Sequence, residues 1–139
     1  IFSGLGAAGK AVDAVLGFAL HSLDRRMRGT LPFEEGVPLH LVSLGDFCLI
    51  GSANELGPTV VDALQRVARA RGYCGCLVAS LVDGYAGYLH MPGVYRQRPE
   101  RGYRFLALYE NALAMFGHRF AEDLVAAADR ALAGSSPVA

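Results

Sequence analysis

Neither sign of charge dominates this chain. Its 139 residues carry 13 Lys+Arg against 13 Asp+Glu, for a formal net charge of +0 and a pI near 7.1. A protein held to nucleic acid or to an anionic membrane by electrostatics needs a basic surplus, so no nucleic-acid partner is expected. Long apolar runs are missing as well. None reaches the roughly 18–20 residues that cross a bilayer, and no transmembrane segment is expected. Cysteine is scarce, at 3, and the spacing matches neither a zinc ribbon nor a disulfide framework. Unpaired thiols weigh against a strongly oxidising compartment. Neither the G-x-S-x-G nucleophile elbow nor an H-E-x-x-H helix occurs. Position 1 is Ile1 rather than methionine, from which processing or truncation upstream is expected.

What is present is core material. Hydrophobic residues make up 53% and charged residues 19%, and mean hydropathy is +0.29. Such a chain buries enough surface to fold, which excludes intrinsic disorder, and its length suits one domain. Three parts are expected: an N-terminal helix and loop over 1–36, a catalytic-domain-like body over 37–134, and a tail over 135–139. Leu5, Val12, Val15, Leu16, Leu20, Leu23 and Met27 recur at helical spacing over 5–28. Pro38 to Gly51 has strand texture, with a tight turn at Gly45-Asp46. Its second arm, Phe47–Gly51, is wholly apolar and suits a strand buried on both faces.

A helix is expected from Glu55 or Pro58 to Arg71. Val60, Val61, Leu64, Val67 and Ala68 form its stripe, Pro58 sits in its first turn, and Gly72 stops it. Tyr73 to Ser80 returns to strand, and a strand–helix–strand unit of this length implies a parallel crossover. Residues 83–104 read as one long irregular loop with a functional role, and 106–132 as a last helix, interrupted at Gly117. The fold class is therefore α/β: a mixed sheet with flanking helices, incomplete without upstream sequence.

Chemistry is expected at two places. Glu55 follows a buried strand where the chain turns into a helix, the edge at which open α/β sheets hold their ligands. A metal ligand, a base and a plain helix cap all remain open for it, since the dipole alone favours acid in a first turn. The next strand ends in Asp83-Gly84-Tyr85-Ala86-Gly87-Tyr88-Leu89-His90, delivered to the same edge. A carboxylate, a phenol and an imidazole meeting there suit a borderline metal such as zinc; the alternative is that Tyr85 and Tyr88 seal the core. Cys74 and Cys76 are expected to share one face of an apolar strand as packed thiols. His21 and His118 read as helix residues, and His40 as facing the polar side of a strand. Arg96, Arg98, Arg101 and Arg104, interleaved with Tyr95 and Tyr103, form a basic loop that could hold an anionic partner, although the balanced total charge favours a plain solvated loop.

The order VPLHLVSLGDFCLIGSANELG, helix, apolar strand, LVDGYAGYLHMPGVY resembles the neutral/alkaline ceramidase family over about residues 37–132. Those enzymes are zinc-dependent amidases that split ceramide. The resemblance implies that Glu55 and Tyr88 are zinc ligands and that Tyr85 is a neighbour at the substrate. It also implies that Tyr103 is the catalytic tyrosine facing the substrate amide. Departures are visible. Ala53-Asn54-Glu55 stands where the family has Pro-Gly-Glu, Asp83 stands for its Asn, and His90-Met91-Pro92-Gly93-Val94 replaces its Thr-Thr and acidic pair. The family's two zinc-binding histidines and nucleophilic serine lie in upstream sequence. The resemblance thus implies a partner: an upstream ceramidase-like chain supplying two His ligands and a Ser nucleophile to a lipid amide substrate. This chain would be a cleaved second chain, a separate subunit or a truncated piece, inactive alone, and secreted or at the cell surface. The other possibilities are a non-catalytic ceramidase-like subunit and a small binding module working through the arginine loop.

Overall fold

In the computed structural model the described residues are 36–96, 113–114, 116–117 and 119–135, together with Val15, Ala19 and Ser22. Those last three are helical, as the apolar spacing of 5–28 implies; the rest of that segment lies outside the described residues.

Strand β1 (Leu39–Leu44) turns back into β2 (Phe47–Ser52) as an antiparallel hairpin pairing Leu44 with Phe47 and Leu39 with Ser52. Gly45 occupies the first of the two loop positions at φ +63°, a left-handed conformation that a side chain would oppose. The chain then kinks at Ala53-Asn54 and resumes as the short strand β3 (Glu55–Leu56). Helix α1 (Pro58–Ala70) returns it to β4 (Gly75–Ala79), which lies parallel to β2. The main sheet is ordered β1-β2-β4, and β3 forms a separate two-strand ladder with β5 (Tyr88–Leu89). A helical turn, α2 (Pro92–Arg96), follows, and α3 (Phe120–Ala133) closes the described part. The protein is α/β, a mixed sheet flanked by helices.

Helix α1 begins at Pro58, whose ring sets φ for the first turn and whose missing N–H costs nothing there. Its buried residues are Val60, Ala63, Leu64 and Ala68, and Val61 and Val67 of the expected stripe are half-buried. Helix α3 contributes Ala121, Leu124, Ala128 and Leu132, and β2 contributes Cys48 and Ile50 to the same core. Each fully buried Leu or Ile here contributes about 1.5–3 kcal/mol. Tyr73 locks the layers together. It is buried at the start of the approach to β4, accepts from Ser43 Oγ of β1 at 2.7 Å, and donates to the Ser135 carbonyl beyond α3. On the surface, Arg71 Nε meets Asp129 Oδ1 at 2.8 Å, joining the end of α1 to α3. That contact holds the Asp129 carboxyl below its ordinary value.

Several expectations need correction. Strand β2 is not buried on both faces. Cys48, Ile50 and Ser52 face the helices, whereas Phe47 is exposed and Leu49 half-buried. On the neighbouring strands Val42, Leu44 and Leu77 are 47%, 59% and 56% exposed. The cause is that α1 and α3 both pack on one side, and no described helix covers the other. Residues 83–104 are not one irregular loop, since β5 and α2 lie within them. Of the last expected helix, α3 forms the part after the break: Gly117 sits at φ +81°, Leu113, Ala114 and Phe116 before it are not helical, and residues 106–112 lie outside the described residues.

The thiols also sort differently. Cys74 precedes β4 and is exposed. Cys76 faces the core side of the sheet and pairs in register with Cys48 on the neighbouring strand. His40 lies on the outer, largely apolar face of β1, with Nε2 3.8 Å from Asp83 Oδ2.

Burial first, and a hydrogen bond with Cys48 second, push the Cys76 thiol up to about 12, while hydrogen bonding to Asp46 raises Cys74. Thiolate is the attacking form. Ellman's reagent at pH 8 is therefore expected to label exposed Cys74 first and more slowly than free cysteine, with Cys48 reacting only on unfolding. Equal rates at all three would refute this order. Because Cys76 is raised above its ordinary 9.0 when folded, its contribution to stability is complete below pH 9. It is lost as pH climbs from there toward 12, which alkaline denaturation midpoints will show. Tyr73→Phe removes the bonds to Ser43 and Ser135 and is expected to cost about 1–2 kcal/mol in urea unfolding.

Candidate functional site

The site begins with the kink after β2. Ser52 and Asn54 are polar yet buried, Asn54 being 1% exposed, so each polar atom must find a partner. Ser52 Oγ donates to Asn54 Oδ1 at 3.1 Å and accepts from the Asn54 backbone N–H at 3.3 Å. Asn54 Nδ2 then donates to the Ala86 carbonyl at 2.8 Å and toward that of Gly87 at 3.4 Å. Backbone bonds complete the seam: Val82 N–H to Ser52 O, Leu81 N–H to Asn54 O, and Ala86 N–H to Ala53 O. The loop that fits this seam takes costly backbone angles. Leu81 and Asp83 both sit at φ +60°, a region side-chain-bearing residues avoid at a cost of about 1–3 kcal/mol each.

Once the loop is held, β3 and β5 run parallel with Glu55 opposite Tyr88 and Leu56 opposite Leu89. Glu55 N–H donates to Gly87 O at 2.9 Å and Gly57 N–H to Leu89 O at 2.8 Å, extending the ladder by a step. Opposed positions of a parallel pair share a face, so the Glu55 carboxylate and the Tyr88 phenol stand on the same side. They line one cleft of about 170 Å³ with Leu56, Gly57, Pro58 and His90. The His90 ring lies over Gly57 so closely that a Cβ there would overlap it. The ring also meets Tyr95 edge-on, with centroids 5.7 Å apart, and the His90 backbone N–H donates to Tyr95 Oη at 3.0 Å.

The expected convergence of Glu55 with Tyr88 and His90 is thus present in space. Glu55 does not cap the helix: the N-cap is Gly57, no side chain caps α1, and its first turn holds no acid. Tyr85 is half-buried on the loop and is not among the residues lining the cleft. Tyr103, His21, His118 and Arg98, Arg101 and Arg104 lie outside the described residues. The run from Gly4 to Gly9 spells G-x-G-x-x-G and also lies outside them. Two contributors are not evident from composition or periodicity. Asn54 reads as loop polarity until its bonds are seen; its signal is a Ser-x-Asn step after a buried strand. Gly57 reads as a helix boundary; its signal is the paired alternation Glu-x-Gly against Tyr-x-His.

For a metal, the donors fit in part. A carboxylate and a phenol side by side suit a hard or borderline cation. Among the described residues no group of three His, Cys, Asp or Glu is placed to hold one. Comparison of the chain with protein-family profiles, with curated proteins and with solved structures finds no match. Among the described residues no helix is long and apolar enough to cross a membrane.

Asn54→Ala strips the Ala86 carbonyl of its partner inside the seam. It is expected to cost about 2–3 kcal/mol in chemical denaturation, with amide exchange at Glu55 and Gly57 accelerating more than in β2. A loss below about 0.5 kcal/mol, within the range of ordinary surface substitutions, would contradict the role given to this side chain.

Proposed function

We propose that this chain is part of a zinc-dependent amidohydrolase resembling neutral ceramidase, acting on ceramide or another N-acyl lipid. The observation that carries the proposal is the register pairing of Glu55 with Tyr88 in one cleft, the two positions to which the resemblance assigns zinc ligands. Glu55 would hold the metal as an anionic ligand and Tyr88 as a phenol or phenolate, both fixed by backbone bonds of the ladder rather than by a flexible loop. Zinc, when bound, supplies polarisation of the amide carbonyl or eases deprotonation of the attacking group. Tyr85 is proposed near the substrate and Tyr103 facing its amide.

An upstream ceramidase-like chain would provide two histidines and the serine nucleophile, so this chain alone would be inactive. The outer face of the sheet, which no described helix covers, supports a partner of that kind. Val42, Leu44, Phe47 and Leu77 are apolar and exposed there, and contiguous apolar surface marks interaction sites. Secretion or the cell surface follows from the same resemblance.

Native mass spectrometry of material purified with its natural associates tests this. A heavier companion carrying zinc, together with amide cleavage of ceramide that Glu55→Gln abolishes, is the expected result. A companion without zinc or turnover would make this a non-catalytic subunit. A zinc-free 14.8 kDa species binding anionic partners in a salt-sensitive way would make it a small binding module.

A further inference from the structure

The ladder that carries Glu55 and Tyr88 carries a third donor. Tyr88 and His90 are two residues apart on the same extended segment, so both project to the face shared with Glu55 and Gly57. Four positions form a patch: Glu55 and Gly57 on one side, Tyr88 and His90 on the other. Neighbouring strands lie about 4.7–4.9 Å apart, a separation that long and aromatic side chains span.

The fourth corner has no side chain. Gly57 sits at φ −70°, an angle any residue adopts, so its glycine is not required by backbone conformation. It is required by contact, because the imidazole fills the space its side chain would take, with Nδ1 the nearest atom. The ring therefore leans across from its own segment onto β3, toward the strand that bears Glu55. Tyr95 meets that ring edge-on and accepts a hydrogen bond from the His90 backbone N–H, holding both ring and backbone against it. All three candidate donors line the same cleft.

Resting on the reading of this cleft as a zinc site, we infer that His90 is a third zinc ligand, so that the chain binds one zinc through Glu55, Tyr88 and His90 without a partner. Carboxylate and imidazole are ordinary zinc ligands, the Tyr88 phenol is the ligand already proposed, and three protein ligands with an open fourth position is the usual form of a catalytic zinc centre. His90 would then take the place of one of the two histidines proposed for the upstream chain. Gly57 and Tyr95 are positioning residues, one yielding space to the ring and the other bracing it.

The test is calorimetric titration of the full chain with zinc chloride, with circular dichroism and melting curves confirming each variant's fold. One equivalent is expected to bind. His90→Phe keeps a ring over Gly57 and against Tyr95 but removes both nitrogens. It is expected to weaken zinc by at least the roughly 10–100-fold that loss of even an outer-shell partner costs. Gly57→Ala, which removes no donor but displaces the imidazole, is expected to weaken binding as well, while His40→Gln leaves it unchanged. Wild-type affinity in His90→Phe, alongside weakening in Glu55→Gln and Tyr88→Phe, would overturn the role of His90 and leave the carboxylate–phenol pair standing. Absence of zinc binding by the chain alone, with zinc present in a purified assembly, would likewise overturn this inference but not the amidase reading. Absence of zinc from both would end the two together.

Discussion

The carboxamide of Asn54 sets where every candidate donor stands. Its side chain reaches from the end of β2 to the carbonyls that precede β5, and the backbone on either side of it bonds the same loop. Those bonds fix the register of β3 against β5, and the register places Glu55 beside Tyr88. A buried amide is costly without partners, but with its donors and its oxygen engaged it specifies one arrangement where an apolar residue would tolerate slippage. Left-handed angles at Leu81 and Asp83 persist because this seam over-determines the loop.

Around the seam the described architecture is one-sided. Helices α1 and α3 pack on each other and on the same face of β1-β2-β4, with Tyr73 spanning from the edge strand to the end of α3. Burial is thus concentrated between the sheet and two helices. The opposite face, built from Val42, Leu44, Phe47, Leu49 and Leu77, keeps the composition of an interior. Parallel strands ordinarily have both faces covered; here no described helix lies on this one.

Much of this was legible in the residues. Pro58 and Gly72 bracket α1, its stripe is the one that is buried, and Gly45-Asp46 turns the hairpin. The short apolar runs at 47–52 and 75–79 form the parallel pair. What was not legible depends on tertiary contacts. Apolar content in Phe47 and Leu49 could not say that a face would be left open. Two strand residues, Tyr88 and Leu89, carry no periodicity of their own and take strand form only because β3 is opposite them. Cys74 and Cys76 suggested a pair by spacing, whereas the partner of Cys76 is Cys48 across the sheet, a relation fixed by register alone. Glu55 was readable as a metal ligand, a base or a cap, and the N-cap at Gly57 removes only the last of these.

Because β2 ends its pairing with β4 before β3 begins its pairing with β5, the chain changes partners at the kink. The consequence is a difference in cooperativity. The two residue pairs of the outer ladder can part while the hairpin, the crossover helix and the core stay closed, as small units of a native structure commonly do. A ligand bridging β3 and β5 would act as a latch on that local opening. Its binding energy would appear as slowed solvent exchange confined to a few amides, with little change in global stability.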